Sequence, residues 1–173
     1  MRALFRTLRP QQWVKNVLFV GAALVFSRHL GDAAYLVRSA LAIAAFCALS
    51  GAVYAFNDVR DVALDRAHPT KQHRPIAAGE LAERTALIWA IALAVVTSLA
   101  YVAYTVDGHT VAFFGTDRLV LSAPFVSLGL VRYLFLALWY PKDEPPTEAM
   151  LKDPWFLLDV VAAIAAVLYV IYG

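Results

Sequence analysis

The sequence predicts an all-α fold, a polytopic transmembrane helix bundle of about five helices, and three observations carry that prediction. Of the 173 residues, 61% are hydrophobic and 16% charged, against about 45–50% and about 25% in an ordinary soluble domain. The apolar residues gather into stretches of about 20, the length that crosses roughly 30 Å of hydrocarbon. Lysine and arginine fall in alternate connections, as they do when one set of loops stays in the cytoplasm.

The first span is expected at about 11–30, with a short uncharged centre from Asn16 to Ser27 that leaves Trp13 and Lys15 at the interface or facing protein. The second, at about 35–56, and the third, at about 85–106, are rich in Ala, Leu, Val and Ile, with Arg38 near one end where it can snorkel. The fourth, at about 119–140, carries Pro124 and Arg132, and the fifth, at about 154–172, carries Asp159 near its start. Between these two, Pro141 to Asp153 reads as a solvated linker with a Pro-Pro pair. Trp13, Trp139, Tyr140 and Trp155 mark interfaces. The chain is expected to form one membrane domain over 1–173.

Charge sets the orientation. Arg2, Arg6, Arg9 and Lys15 precede the first span, and Arg60, Arg66, Lys71, Arg74 and Arg84 lie between the second and third. The alternate loops offer little beyond Arg28 and Arg118. The N-terminus and the Asn57 to Arg84 loop are therefore expected in the cytoplasm and, after five spans, the C-terminus outside. A signal peptide is not expected, because Arg2 to Asn16 leads into helix without a small-residue cleavage site. A net charge of +2 is too mild to call for a nucleic-acid partner. The single cysteine, Cys47, excludes an intrachain disulfide.

One segment is loaded with chemistry. The second span ends in NDVRDVALD, which places Asp58, Asp61 and Asp65 at i, i+3 and i+7. On a continuing helix these carboxylates project from one face, where a divalent cation can offset their repulsion. Oxygen ligands suit Mg²⁺, which takes one or two carboxylates and shares substrate phosphate oxygens. Arg66, His68, Lys71, His73 and Arg74 follow at once, able to grip phosphate oxygens that the metal leaves free. The bland alternative is a charged cytoplasmic loop with no task. Acids in register, then a basic run, then the stiff turn Pro75 to Gly79 favour a metal-bound diphosphate site.

This stretch, NDVRDVALDRAHPTKQHRPIAAGEL, resembles the first Asp-rich motif of the UbiA superfamily of intramembrane prenyltransferases. RPQQWVKN at Arg9 to Asn16, and FGTDRLVLSAPFV with Arg132 and Tyr133 further on, are similar to the branch that moves phosphoribose from phosphoribosyl diphosphate onto a polyprenyl phosphate. The resemblance implies a shortened UbiA-type fold. Relatives are bundles of about nine spans, and this chain has room for about five. The second Asp-rich motif is missing: between Arg84 and Pro141 the only acids are Asp107 and Asp117. A join within the third span would account for both. Carried over by position, the resemblance assigns Mg²⁺ to Asp58 and Asp61, with Asn57 and Asp65 in support, phosphate to Lys71 and Arg74, and donor or lipid phosphate to Lys15 and Asn16. Arg66 joins the substrate-binding set. Three functions stay open: phosphoribosyl transfer to a polyprenyl (decaprenyl) phosphate, prenyl transfer from a polyprenyl diphosphate to an aromatic acceptor, and a non-catalytic membrane protein or assembly partner. Homo-oligomerisation stays open as well.

Two further groups carry polar chemistry outside this segment. Arg132 and Asp159 lie within spans, where a charge marks a site or a structural pairing. His29 and His109 sit in external loops without a second ligand at metal spacing.

Overall fold

Caps and prolines decide where this chain turns. The computed structural model describes residues 1–139 and 146–173, with side chains outside 137–147. Among the described residues the regular structure is helical, without strands. The α-helices are α1 (Arg2–Thr7), α2 (Val14–Phe26), α3 (Ala33–Arg60), α4 (Val62–Ala67), α5 (Glu83–Val106), α6 (Gly108–Phe114), α7 (Ala123–Trp139), α8 (Pro146–Lys152) and α9 (Pro154–Tyr172). Short 3₁₀ turns occupy Pro10–Gln12, Lys71–His73 and Arg118–Ser122.

Four helical stretches are long and apolar enough to cross a membrane: α3, α5, Arg118–Leu136 and α9. They match the second to fifth expected spans. Asp32 starts α3 by accepting from the Ala34 N–H at 2.8 Å, and Asp153 starts α9 by accepting from the Phe156 N–H at 2.7 Å, with Pro154 in the first turn. Pro124 falls in the first turn of α7, after a 3₁₀ turn, where its missing N–H costs nothing. Large apolar side chains such as Leu41, Leu99, Val131, Val161 and Leu168 are exposed, the surface that lipid covers.

The helix in the first expected span is shorter than that span. This helix, α2, has 13 residues, about 20 Å at 1.5 Å per residue, short of the hydrocarbon thickness. Pro10 opens a separate 3₁₀ turn, so α2 begins only at Val14. At its far end Ser27 Oγ donates to Leu24 O and accepts from His29 N–H, and Arg28 turns through φ 65°. The linker expected at 141–153 also differs, since Pro146–Lys152 is helical. Its residues 141–145, and Tyr140, lie outside the described residues, as does the Trp139 side chain.

Contacts divide the chain into two compact units, Met1–Thr97 and Ser98–Gly173, with the boundary inside α5. In the second unit Arg132 meets Asp153 through both ends of its guanidinium, Nε to Oδ1 at 3.0 Å and Nη2 to Oδ2 at 2.7 Å. Arg132 is therefore a paired structural residue, and its partner is the cap of α9.

Candidate functional site

In the first unit the last turns of α3 carry the chemistry. Asp58 and Asp65 are each 2% exposed, a burial that carboxylates tolerate only when paired. The helix does not continue through them: α3 ends at Arg60, Asp61 adopts φ −93° and ψ 7°, and α4 restarts at Val62. Four Asn or Asp side chains in nine residues compete with the backbone for hydrogen bonds and weaken the helix there.

Two prolines fold the next segment back over the acids. A residue before proline is driven to extended backbone, and both His68 before Pro69 (ψ 132°) and Arg74 before Pro75 (ψ 142°) obey. Between them His68 Nδ1 accepts from the N–H groups of Thr70 and Lys71 and fixes the turn. Ile76, 1% exposed, anchors the loop, and Gly79 supplies the left-handed residue (φ 77°) that ends it. Arg74 is thereby aimed at the acids, with Nη1 3.1 Å from Asp58 Oδ1 and 2.7 Å from Asp65 Oδ2.

The N-terminus reaches the same place. Arg9 Nη2 donates to Asp58 Oδ1 at 2.5 Å, and its guanidinium lies 4.6 Å above the Tyr54 ring. Arg6 pairs with Glu80 at 2.7 Å and donates to the His73 carbonyl at 3.4 Å. These groups border an open hollow of about 700 Å³, lined among others by Arg6, Arg9, Gln12, Asp58, His73 and Arg74. Three guanidinium groups and one buried carboxylate face it, a composition suited to a polyanion with a counter-cation.

The sequence-predicted residues part company here. Asp58 and Arg74 stand at the hollow, and Asp65 joins them through Arg74. Asp61 does not line it, and its Oδ1 lies 3.8 Å from Arg60 Nε. Asp58 and Asp65 thus meet on Arg74 while Asp61, where the helix is interrupted, does not join them, and among the described residues no three acid, His or Cys side chains group as a metal cage. Arg66 braces the loop, donating to Ala77 O at 3.3 Å and lying 3.5 Å from Glu83. Lys71 is exposed on the loop, and Asn57 lies in the last turn of α3, half-buried and outside the lining. Asn16 packs between α2 and α3, donating to Ser50 Oγ at 3.1 Å, while Lys15 is exposed; neither lines the hollow, because the 3₁₀ turn at Pro10–Gln12 fills that end instead. Arg9 and Arg6 were read from sequence only as topogenic charges. The signal for Arg9 was its place before Pro10, which bars it from extending α1.

The sequence pattern of the UbiA prenyltransferase family matches residues 16–173. The chain belongs to the UbiA prenyltransferase family. It is 43% identical over 166 residues to the decaprenyl-phosphate phosphoribosyltransferase of Corynebacterium glutamicum, covering 92% of this chain and 44% of that protein. The protein of the same name from Mycobacterium tuberculosis is 46% identical over 100 residues, 55% of this chain and 32% of that one. A nodulation protein, NoeC, of Azorhizobium caulinodans is 30% identical over 125 residues, 71% of this chain and 36% of that one. This UbiA member thus spans less than half the length of the curated relatives it matches. With its apolar helices, it is an integral membrane protein.

Mg²⁺ fits these residues in one manner only. An all-protein cage is absent among the described residues. Asp58, beside the open hollow, would offer Mg²⁺ one carboxylate, with water and substrate oxygens completing the shell, while Asp65 stays paired with Arg74.

Proposed function

We propose that this chain is a membrane transferase moving 5-phosphoribose from phosphoribosyl diphosphate to a polyprenyl phosphate such as decaprenyl phosphate, with Mg²⁺. One observation carries the reading: Arg9, Arg74 and the buried Asp58 meet at one hollow where a membrane helix ends. The resemblance in sequence to proteins named for that reaction supports it.

In this reading an oxygen of the lipid phosphate attacks the anomeric carbon of the ribose. The bond from that carbon to the diphosphate oxygen breaks, and diphosphate leaves with the electron pair. Arg74 and Arg9 hold diphosphate oxygens, Arg74 in the fixed fork geometry that suits them. Asp58 would hold the cation, with Asp65 behind it keeping Arg74 in place and Asp61, outside the lining of the hollow, in support. Mg²⁺, when bound, neutralises charge gathering on the departing diphosphate. Lys71 meets phosphate from the exposed loop. Preorganised charge carries the rate, and no Ser, Cys or His nucleophile is required. The hollow faces the cytoplasm of a bacterial plasma membrane, a side supported by the basic residues on both contributing segments and by the Arg6–Glu80 and Arg9–Asp58 pairs that join them.

Membranes carrying the chain, given labelled phosphoribosyl diphosphate, polyprenyl phosphate and Mg²⁺, should yield lipid-linked label that chelation or Asp58→Ala abolishes. Absence of label where a full-length relative gives product rejects the activity. The pairing of buried Asp58 and Asp65 with Arg9 and Arg74 fits a second reading, an anion-binding membrane protein without turnover. It predicts metal-dependent binding of phosphoribosyl diphosphate with no lipid product.

A further inference from the structure

Arg9 is placed with more care than a topogenic charge needs. Three contacts seat its segment on one stripe of α3. Leu8 packs on Gly51, where an added Cβ would stand 3.0 Å from Leu8 Cδ2; Arg9 stacks on Tyr54; and Arg9 pairs with Asp58. Positions 51, 54 and 58 are i, i+3 and i+7, one face of the helix. The backbone of Arg9 is left-handed, φ 52° and ψ 64°, a conformation unfavourable to a non-glycine residue that persists where the surroundings hold it.

The electrostatics are asymmetric. Asp58 Oδ1 accepts from two guanidinium groups, Arg9 at 2.5 Å and Arg74 at 3.1 Å. Arg74 has a second carboxylate, Asp65, at 2.7 Å. Arg9 has Asp58 as its carboxylate partner among the described residues. A cation that takes Asp58 therefore leaves Arg74 anchored and releases Arg9, while the Tyr54 ring keeps its guanidinium at the rim of the hollow.

We propose that Arg9 is an exchangeable counter-ion: it neutralises Asp58 when no cation is bound there, and passes to the phosphate oxygens of a diphosphate ligand when a divalent cation takes the carboxylate. The inference rests on the transferase reading and adds a binding residue to it. Its consequence is that Arg9 opposes the cation and assists the anion, so its removal moves the two affinities in opposite directions.

The test uses the full chain in detergent micelles, with Mn²⁺ binding followed by electron paramagnetic resonance and inorganic diphosphate binding measured by calorimetry in chelator. For Arg9→Gln, Mn²⁺ alone should bind several-fold tighter and metal-free diphosphate about tenfold weaker, as expected when one charge-assisted contact to the anion is lost. Arg9→Lys keeps the charge without the fork, and should shift both affinities in the same two senses by smaller factors, so the result does not depend on Arg9→Gln folding. Affinities that move together, or stay fixed in both variants, overturn the exchange while leaving the transferase reading in place. A wild-type chain that binds neither diphosphate nor phosphoribosyl diphosphate, with or without Mn²⁺, overturns both.

Discussion

Replacing Arg74 with methionine removes the cation on which two buried carboxylates converge, and the structure sets the size of the effect. Asp58 retains Arg9 at 2.5 Å, whereas Asp65 loses its partner among the described residues, the guanidinium 2.7 Å away. Breaking a buried pair by removing one member costs about 3–5 kcal/mol, because a charge is left uncompensated. The Arg74 side chain is 28% exposed beside an open hollow that admits water, so we expect the lower end, about 3 kcal/mol. Asp65→Asn alone leaves Arg74 to Asp58 and should cost about 1 kcal/mol, the scale of one hydrogen bond. The double variant Arg74→Met/Asp65→Asn removes the orphan charge, and should recover to within about 1 kcal/mol of Asp65→Asn. Denaturant unfolding in micelles, followed by circular dichroism and tryptophan fluorescence, measures all three. A loss under about 1 kcal/mol for Arg74→Met, with no rescue by Asp65→Asn, would show a solvated surface pair and refute the buried clamp.

Other perturbations test other parts of the molecule. Gly51→Val should wedge Leu8 away from α3 and weaken metal-free diphosphate binding as strongly as Arg9→Gln, while Gly51→Ala, which asks Leu8 to yield a few tenths of an ångström, stays within about twofold; equal binding by the wild type and Gly51→Val counts against the strap. Asp58→Ala should abolish Mg²⁺-dependent binding of phosphoribosyl diphosphate, and Asp61→Ala should weaken it less, because Asp61 stands outside the lining of the hollow; equal losses would restore Asp61 as a direct ligand. In the second unit, hydrogen bonds from Arg132 hold the Asp153 carboxyl below the usual carboxylate range, with the Phe156 N–H assisting and burial opposing. The folded chain binds that proton less tightly than the unfolded chain. Its contribution is full above the unfolded value of about 3.9 and is lost as pH falls through the folded one. Stability measured from pH 6 to pH 3 should therefore fall less steeply in Asp153→Asn, which keeps the cap, than in the wild type; parallel curves would refute the linkage.

What the sequence made legible follows the length of each signal. A span of about 20 apolar residues is long enough to override local irregularities, so α3, α5, α7 and α9 fall where hydropathy puts them, and α9 runs over 154–172 as expected. The first span's helix, α2, is shorter than expected because its apolar centre is short and Pro10 opens a separate turn before it. Site residues depended on geometry at the scale of one turn. Arg74 was legible as a cation in the basic run that follows the acids at once, just ahead of the stiff turn Pro75 to Gly79. Asp61 departs from the i+3 count because that count presumes an unbroken helix, and the interruption falls at Asp61 itself. Asp58 and Asp65 survived the break because the contact joining them is made by a side chain from the loop, and needs no uninterrupted backbone between them. Arg9 was hidden for the opposite reason. Its role comes from the packing of Leu8 and Arg9 on a helix more than forty positions away, and the charge rule that explains basic residues before a span accounts for it fully without that contact. Periodicity therefore reports what a helix can present, and only the tertiary contacts of short segments report what is presented to it.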